Sequence, residues 1–473
     1  MINLRLPKII RRLVSTEYMV KEHMRRGDIP STKEAYSQSV RIAAPAVAEM
    51  VSIAIMSMLD MIMVAGLGHQ AVAAIGLTNQ PRMIFFSVFF ALNISVTAIV
   101  ARNKGAGDDA AARSCLRQAM MLVVIGSGLF TGIAVTVARP LLSLAGAQSD
   151  TIGLSTSYFR ITSLGLIFAI MSGTVCAAQR AAGNTKITMQ VNIVANAVKV
   201  MFNFLLIHGR FGFPSLGVNG AAISLIIAHV ISCGLAVASL LRKDAYLRIR
   251  LKDNWRPDIP MLRSIGRVTS GSILEQLAVR VGFFVYGMVV AGLGTLETAA
   301  HFVAMQFMNL SFTFADGIGV ATTALVGQNL GKKRPDLSIM FGKIGTRMAW
   351  GVSAVLSTTA ILMRFQFPII FGNDPAIVEI TAGIMIIIAY ILPFQTAQIV
   401  MAGSLRGAGD TRFVAMTMLI TVGVLRPLTG FVFAYPLGWG ITGAWIAIIV
   451  DQAVRLTMLL TRFTRGKWIT TRL

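Results

Sequence analysis

Long apolar stretches alternate with short polar loops along almost the whole chain. The apolar segments are 40–67, 70–101, 115–138, 155–179, 185–208, 217–241, 266–292, 295–328, 346–363, 378–403, 412–436 and 440–461. Each reaches or approaches the roughly 20 residues that a helix needs to cross hydrocarbon. The pattern predicts an all-α polytopic membrane protein with twelve transmembrane helices.

The pattern is also written twice. Shifting the chain by 226 positions carries Glu49 onto Glu275 and Val64-Ala65-Gly66-Leu67-Gly68 onto Val290-Ala291-Gly292-Leu293-Gly294. The same shift carries Gln80 onto Gln306, Asn103 onto Asn329, Arg180 onto Arg406, Gly183 onto Gly409 and Thr185 onto Thr411. After a loop it slips to 223, where Gly217, Gly220 and Ala221 meet Gly440, Gly443 and Ala444. Polar residues held at one offset through so long an apolar run mark an internal duplication. Six helices per half is an even number, so both halves enter from the same side and the repeats are parallel. The predicted organisation is a basic tail (1–39), an N-lobe (40–242), a linker (243–265), a C-lobe (266–463) and a C-terminal tail (464–473).

Composition agrees with a bilayer: 55% of residues are hydrophobic, 13% are charged and the mean hydropathy is +0.71. A soluble domain carries about 25% charged residues. A net charge of +23 suggests nucleic acid only if the basic residues form a patch. They fall instead in alternate loops: Arg102, Lys104, Arg113 and Arg117; Arg180 and Lys186; Lys332, Lys333 and Arg334; Arg406 and Arg412. The linker adds Arg242, Lys243, Arg248, Arg250, Lys252, Arg256, Arg263 and Arg267, and the C-terminus Arg462, Arg465, Lys467 and Arg472. The opposite loops hold Arg139, Arg210 and Arg364. That asymmetry places both termini in the cytoplasm of a cell-membrane protein and excludes a nucleic-acid partner. The tail, with Arg5, Lys8, Arg11 and Arg12, lacks a cleavable signal pattern and is expected on the anionic leaflet. Cys115, Cys176 and Cys233 form no pairing pattern, and the five histidines no ligand spacing, so no metal or cofactor is expected.

Ionisable residues inside membrane helices are the candidate chemistry. They are Glu49, Asp60, Arg82, Arg160, Lys199, Glu275, Arg280, Asp316, Arg426 and Asp451. At 1.5 Å per residue, Asp60 lies about 30 Å from the start of helix 1, and on helix 5 Asn196, Lys199 and Asn203 lie about 16, 21 and 27 Å along. Helices 1 and 5 facing one cavity therefore assemble a carboxylate, an ammonium and amides at similar height. Against this, Lys199 has a stem long enough to snorkel away. Glu49 and Glu275 follow Pro45 and Gly271 by four residues, which suits a bend or a helix contact.

These residues resemble the multidrug and toxic compound extrusion (MATE) family of the MOP superfamily. Pro45, Glu49 and Asp60-Met61-Ile62-Met63-Val64-Ala65-Gly66 are similar to its first-helix pattern, and Gly183-Asn184-Thr185 with Asn196 and Asn203 to its helix 4–5 region. Gly403-Ser404-Leu405-Arg406-Gly407-Ala408-Gly409-Asp410-Thr411 and Arg426-Pro427 are similar to its helix 10–11 signatures. The resemblance covers roughly 40–460. It implies two six-helix lobes in a V around a cavity, a monomer in membrane lipid, and export of small organic cations in exchange for protons or sodium. Asp60, Asn196, Lys199 and Asn203 are then the coupling and substrate residues, with Asp60 as the place for a sodium ion. Glu49, Glu275, Arg280, Gln395 and Arg426 are secondary candidates. Sodium-dependent members pair a helix 10 carboxylate with a helix 7 glutamate; here those places are Gln395 and, about one turn off, Glu275. The helix 5 asparagine of the family is Lys199 here.

A flippase for lipid-linked saccharides, from the same superfamily, needs a large cavity faced by several basic residues, which Lys199, Arg82 and Arg280 keep open. A membrane-embedded enzyme needs a clustered His, Asp or Cys set, and the sequence offers none, so the chain is not expected to be an enzyme. The orientation is testable by cysteine labelling. Labels at Gly68, Gly294 and Gly438 should react from outside, and labels within 243–260 only from inside; the opposite pattern at the linker overturns the parallel repeat.

Overall fold

The computed structural model describes residues 15–471 except 68, 145–150, 243–244, 251–252 and 373. Arg5, Lys8, Arg11, Arg12, Gly68, Lys243, Lys252 and Arg472 lie outside the described residues. We number the long helices in chain order: α1 Thr32–Ala65, α2 His69–Ala106, α3 Asp109–Thr136, α4 (Ile152–Leu164 with Leu166–Ala181), α5 Thr185–His208 and α6 Gly217–Leu241. The second series is α7 Ile259–Ala291, α8 Thr295–Gly331, α9 Pro335–Leu362, α10 Pro375–Gly407, α11 (Thr411–Met418, Leu419–Leu425 and Arg426–Ala434) and α12 Gly440–Thr464. No strand occurs among the described residues. Ten helices there have the length and composition to cross a membrane, and the two limbs of α4 make an eleventh. α9 has 28 residues, ample length, but Lys343, Arg347 and its hydroxyl-rich second half make it less apolar.

Two expected spans are not plain α-helices. α4 bends by 48° between its limbs, at Gly165. The backbone of Ile226 packs 3.5 Å from where a Gly165 Cβ would sit, so the kink is set by close helix approach. In α11, Leu419–Leu425 forms a π-helical turn. Such a turn takes up an extra residue and rotates everything beyond it.

Two compact units divide the chain. One comprises Met1–Val47, Ala101–Gly107 and Leu274–Leu473; the other comprises Ala48–Val100 and Asp108–Ile273. In the first, a core of Tyr286, Phe307, Met385, Leu392, Trp445 and Ile448 packs α7, α8, α10 and α12. In the second, Val64, Tyr158, Ile207, Val218 and Ala222 bring α1, α4, α5 and α6 together. Segment 15–31 does not lie free on a surface. Met19 and Val20 are 1% and 3% exposed against Met340, Phe341 and Ile344 of α9, because two adjacent apolar side chains find a buried seat there. Lys343 Nζ donates to Met19 O, and Arg26 N–H to Asp336 Oδ2 at 3.1 Å. Burial pushes the Asp336 carboxyl up, but hydrogen bonds from Arg334 and Arg26 outweigh it and hold the group below its usual range.

The duplication reaches the backbone. Gly183 and Gly409 close α4 and α10 with φ of 90° and 88°, and Gly217 and Gly440 open α6 and α12 with 54° each. Gly107 (φ 75°) has Lys333 (φ 58°) as its repeat partner. A side chain in that left-handed region costs about 1–2 kcal/mol. Lys333→Gly should therefore raise the thermal unfolding midpoint, and Gly409→Ala should lower it, by the equivalent of about 1 kcal/mol each. Opposite shifts would remove the strain argument.

Candidate functional site

Asp60 sits near the end of α1, and α5 carries its partners. Lys199 Nζ donates to Asp60 Oδ2, and Asn203 Nδ2 donates to Asp60 Oδ1 at 2.8 Å. Lys199 and Asn203 are one turn apart, so both face α1 from the same side of α5. The pair borders a cavity of about 360 Å³ lined also by Asn79, Arg82, Tyr158 and the apolar Val64, Ile75 and Leu225. Side-chain exposure of 21% for Lys199 and 18% for Asp60 shows a pair that is reachable, not sealed. Arg82 donates to Asn79 Oδ1 at 3.2 Å. The cavity thus presents one carboxylate and two cations. Asn196 is not brought to Asp60; its Nδ2 is buried without a partner two turns before Asn203. Arg160 is exposed and donates to Val135 O at 3.1 Å, away from this cluster. Arg280 and Asp316 are exposed on α7 and α8.

Glu49 is 1% exposed and fully engaged. It accepts from Arg180 Nη1 at 2.8 Å, Thr188 Oγ1 at 2.7 Å and Asn192 Nδ2 at 2.9 Å. Glu275 is 2% exposed and pairs with Arg406. Sequence reasoning placed Arg180 and Arg406 among loop charges and overlooked Thr188 and Asn192. The signal was present: Glu49 and Arg180 are 131 positions apart, and so are Glu275 and Arg406. Residues that keep their separation through a duplication are candidates for contact.

The second half has no copy of the Asp60 site, and the π-turn explains how the register changes. Before it, the repeat offset is 226, which sets Val414 and Met418 opposite Thr188 and Asn192. Beyond it, the offset becomes 227. Gly220 approaches the Leu206 carbonyl as Gly443 approaches that of Phe433, and Arg210 N–H bonds Leu205 O as Leu437 N–H bonds Val432 O. On this register Lys199 and Asn203 correspond to Arg426 and Gly430, while Asp60 corresponds to Tyr286. The contacts agree. Arg426 lies over the Tyr286 ring at 5.9 Å, and a Cβ at Gly430 would sit 3.1 Å from the same ring.

With no carboxylate at Tyr286, Arg426 turns to Asp451 of α12, 2.8 Å from its Nε to Oδ2. Arg455 Nη2 donates to both oxygens of the same carboxylate, at 2.5 and 2.7 Å. Side-chain exposures of 2% for Arg426, 0% for Asp451 and 5% for Arg455 seal the network. Gln395 is 0% exposed, and neither its amide oxygen nor its nitrogen has a partner. Among the described residues no group of three His, Cys, Asp or Glu is placed to hold a metal ion.

The sealed and the open carboxylates should respond differently to neutralisation. Asp451→Asn leaves two guanidiniums buried together and should cost about 3–5 kcal/mol of stability. Asp60→Asn, beside a wet cavity, should leave the unfolding midpoint within a few degrees of the parent. Thermal unfolding of both purified variants checks this; equal losses would show that Asp60 is a structural charge as well.

Comparison with known proteins follows the same duplication. The MatE family profile matches residues 45–205 and again 272–432. A probable multidrug resistance protein NorM of Thermotoga maritima is 28% identical over 465 residues, 95% of this chain and 96% of its own. Multidrug resistance protein PmpM of Pseudomonas aeruginosa is 26% identical, with 90% of each chain covered. Among solved structures, an outward-facing multidrug resistance MATE family transporter of the MOP superfamily has a TM-score of 0.86 at 20% identity, covering 95% of this chain and 99% of its own. That likeness is one of fold. Because the profile matches both halves and more than half of the whole length, the chain belongs to the MatE family of membrane transporters.

Proposed function

We propose that the chain is a secondary active antiporter that exports amphipathic organic compounds in exchange for protons or sodium. The observation that carries this reading is the Asp60 carboxylate, paired with Lys199 and Asn203 at the edge of a cavity of about 360 Å³. That volume suits a drug-sized molecule. The multidrug resistance names of the relatives support the same reading. We take the lobes as 40–242 and 266–463, with both termini cytoplasmic and the protein in the cell membrane.

Both carboxylate oxygens of Asp60 are engaged, so an arriving ion must first replace a hydrogen bond. A proton, a sodium ion and a basic nitrogen on a substrate all neutralise the same charge, and each excludes the others. Exclusive occupancy becomes exchange when two lobes alternate access to the site. Lys199 is a built-in competitor, holding the carboxylate until one of them displaces it. At 4 Å and an effective dielectric near 20 such a pair attracts by about 4 kcal/mol, so its removal should be measurable. Arg82, held by the Asn79 amide and not by a carboxylate, adds a place for an acidic group on the same substrate. The flippase reading is supported by the same two cations, but a lipid-linked saccharide outgrows this cavity.

Transport into inverted vesicles, with proton and sodium gradients imposed separately, tests the proposal. Asp60→Asn should fold and lose gradient-driven transport. Lys199→Asn should keep it and bind a cationic substrate more tightly, since the carboxylate no longer has a fixed cation beside it. The double variant should behave as Asp60→Asn alone. Normal transport by Asp60→Asn sinks the site, and additive losses in the double variant sink the coupling of the pair.

A further inference from the structure

A second cavity, of about 370 Å³, lies away from Asp60, between the start of α3 and the linker that precedes α7. Its charged lining is Arg113, Arg117, Arg248, Arg250 and Asp253, four cations against one carboxylate. The spacing directs them there. Arg113 and Arg117 are one helical turn apart on α3, so they share a face. Arg248 and Arg250 are two apart in a non-helical strip, so they share a side of it.

The two walls are tied together. Ser114 Oγ donates to Asp258 Oδ2 at 2.9 Å, and Gln118 Nε2 donates to Arg256 O at 2.9 Å. Leu247 and Ile249, the neighbours of Arg248, are 0% and 6% exposed, and Ile249 N–H bonds Leu240 O at 3.3 Å. Burying these alternate residues leaves the arginines facing the hollow. A loop needed only for its charge has no reason to be stitched down in this way.

The positive charge is not answered locally. Asp253 spreads over Arg117, at 3.5 Å, and the Arg250 N–H, at 2.9 Å. Asp108 caps the Ala111 N–H at 2.9 Å, and Asp109 faces Tyr246. Among the described residues no carboxylate forms an ion pair with Arg113, Arg248 or Arg250, and Arg117 Nε is buried without a partner. Guanidiniums converging on a hollow offer paired donors at the spacing of phosphate oxygens. We propose that this cavity is a binding site for a phosphate group, carried either by an anionic phospholipid or by a small soluble phosphate. The occupant fastens the linker to α3.

The test uses the purified full chain in nanodiscs of phosphatidylcholine, with and without phosphatidylglycerol, and native mass spectrometry to count retained lipid. A parallel arm in phosphatidylcholine alone titrates inorganic phosphate against chloride at fixed ionic strength, reading the fluorescence of Trp255 beside the site. Arg248→Gln with Arg250→Gln should weaken binding at least tenfold, as expected for the loss of charge-assisted hydrogen bonds. Asp253→Asn should strengthen it. Arg263→Gln with Arg267→Gln removes the same charge from the first turns of α7, outside the cavity, and should leave binding within about twofold. Unfolding midpoints confirm that each variant is folded. Retention of phosphatidylglycerol alone identifies the lipid, and a saturating response to phosphate identifies a soluble group. Equal loss in the two double variants, or no binding in either arm, overturns the site.

Discussion

Charge in a low-dielectric interior must be answered by charge, and three buried carboxylates of this structure follow that rule. Glu49 with Arg180, Glu275 with Arg406, and Asp451 with Arg426 and Arg455 are each buried and each paired. Breaking one side of such a pair is far costlier than never having made it. These contacts therefore fix which helix faces meet: α1 to the α4–α5 corner, α7 to the end of α10, α11 to α12. Packing by small residues and apolar cores fills in around them.

Set against that frame, Asp60 differs in degree of enclosure more than in chemistry. It has a cation and an amide, as Glu49 does, but it meets them at the rim of a cavity. A sealed carboxylate is a fastener; a carboxylate with water at its back can trade partners. The same distinction separates Lys199 from Arg426. They occupy equivalent places in the two halves, one on an accessible carboxylate and the other sealed on Asp451 over an aromatic ring.

Much of this was legible in the sequence, for identifiable reasons. Spans announce themselves because lipid tolerates few charges, and the duplication because polar residues recur at one offset. The similar height of Asp60, Lys199 and Asn203 followed from rise per residue; that α1 and α5 face one another did not. Other features left no such mark. The π-turn at Leu419–Leu425 changes rotation without changing composition, so a constant offset points to Leu425 where the structure uses Arg426. The bend at Gly165 depends on Ile226, some sixty positions away. Asn196 has the right residue type and shares a face of α5 with Asn203, but it lies two turns, about 10 Å, before Asn203 along the axis and so falls short of Asp60. The docking of segment 15–31 rests on Met19 and Val20, two residues too few to form a periodic signal.

The π-turn also bears on how two copies of one sequence came to hold different side-chain arrangements. Divergence by substitution alone would have had to rebuild the outer half of α11 residue by residue, passing through forms with a stranded charge. A single inserted codon turns that whole stretch at once, moving several side chains to new neighbours in one step. The connection to the next helix then needs only to shorten, which loops tolerate. The second half could thus reach its sealed Arg426–Asp451 arrangement without an unfolded ancestor in between.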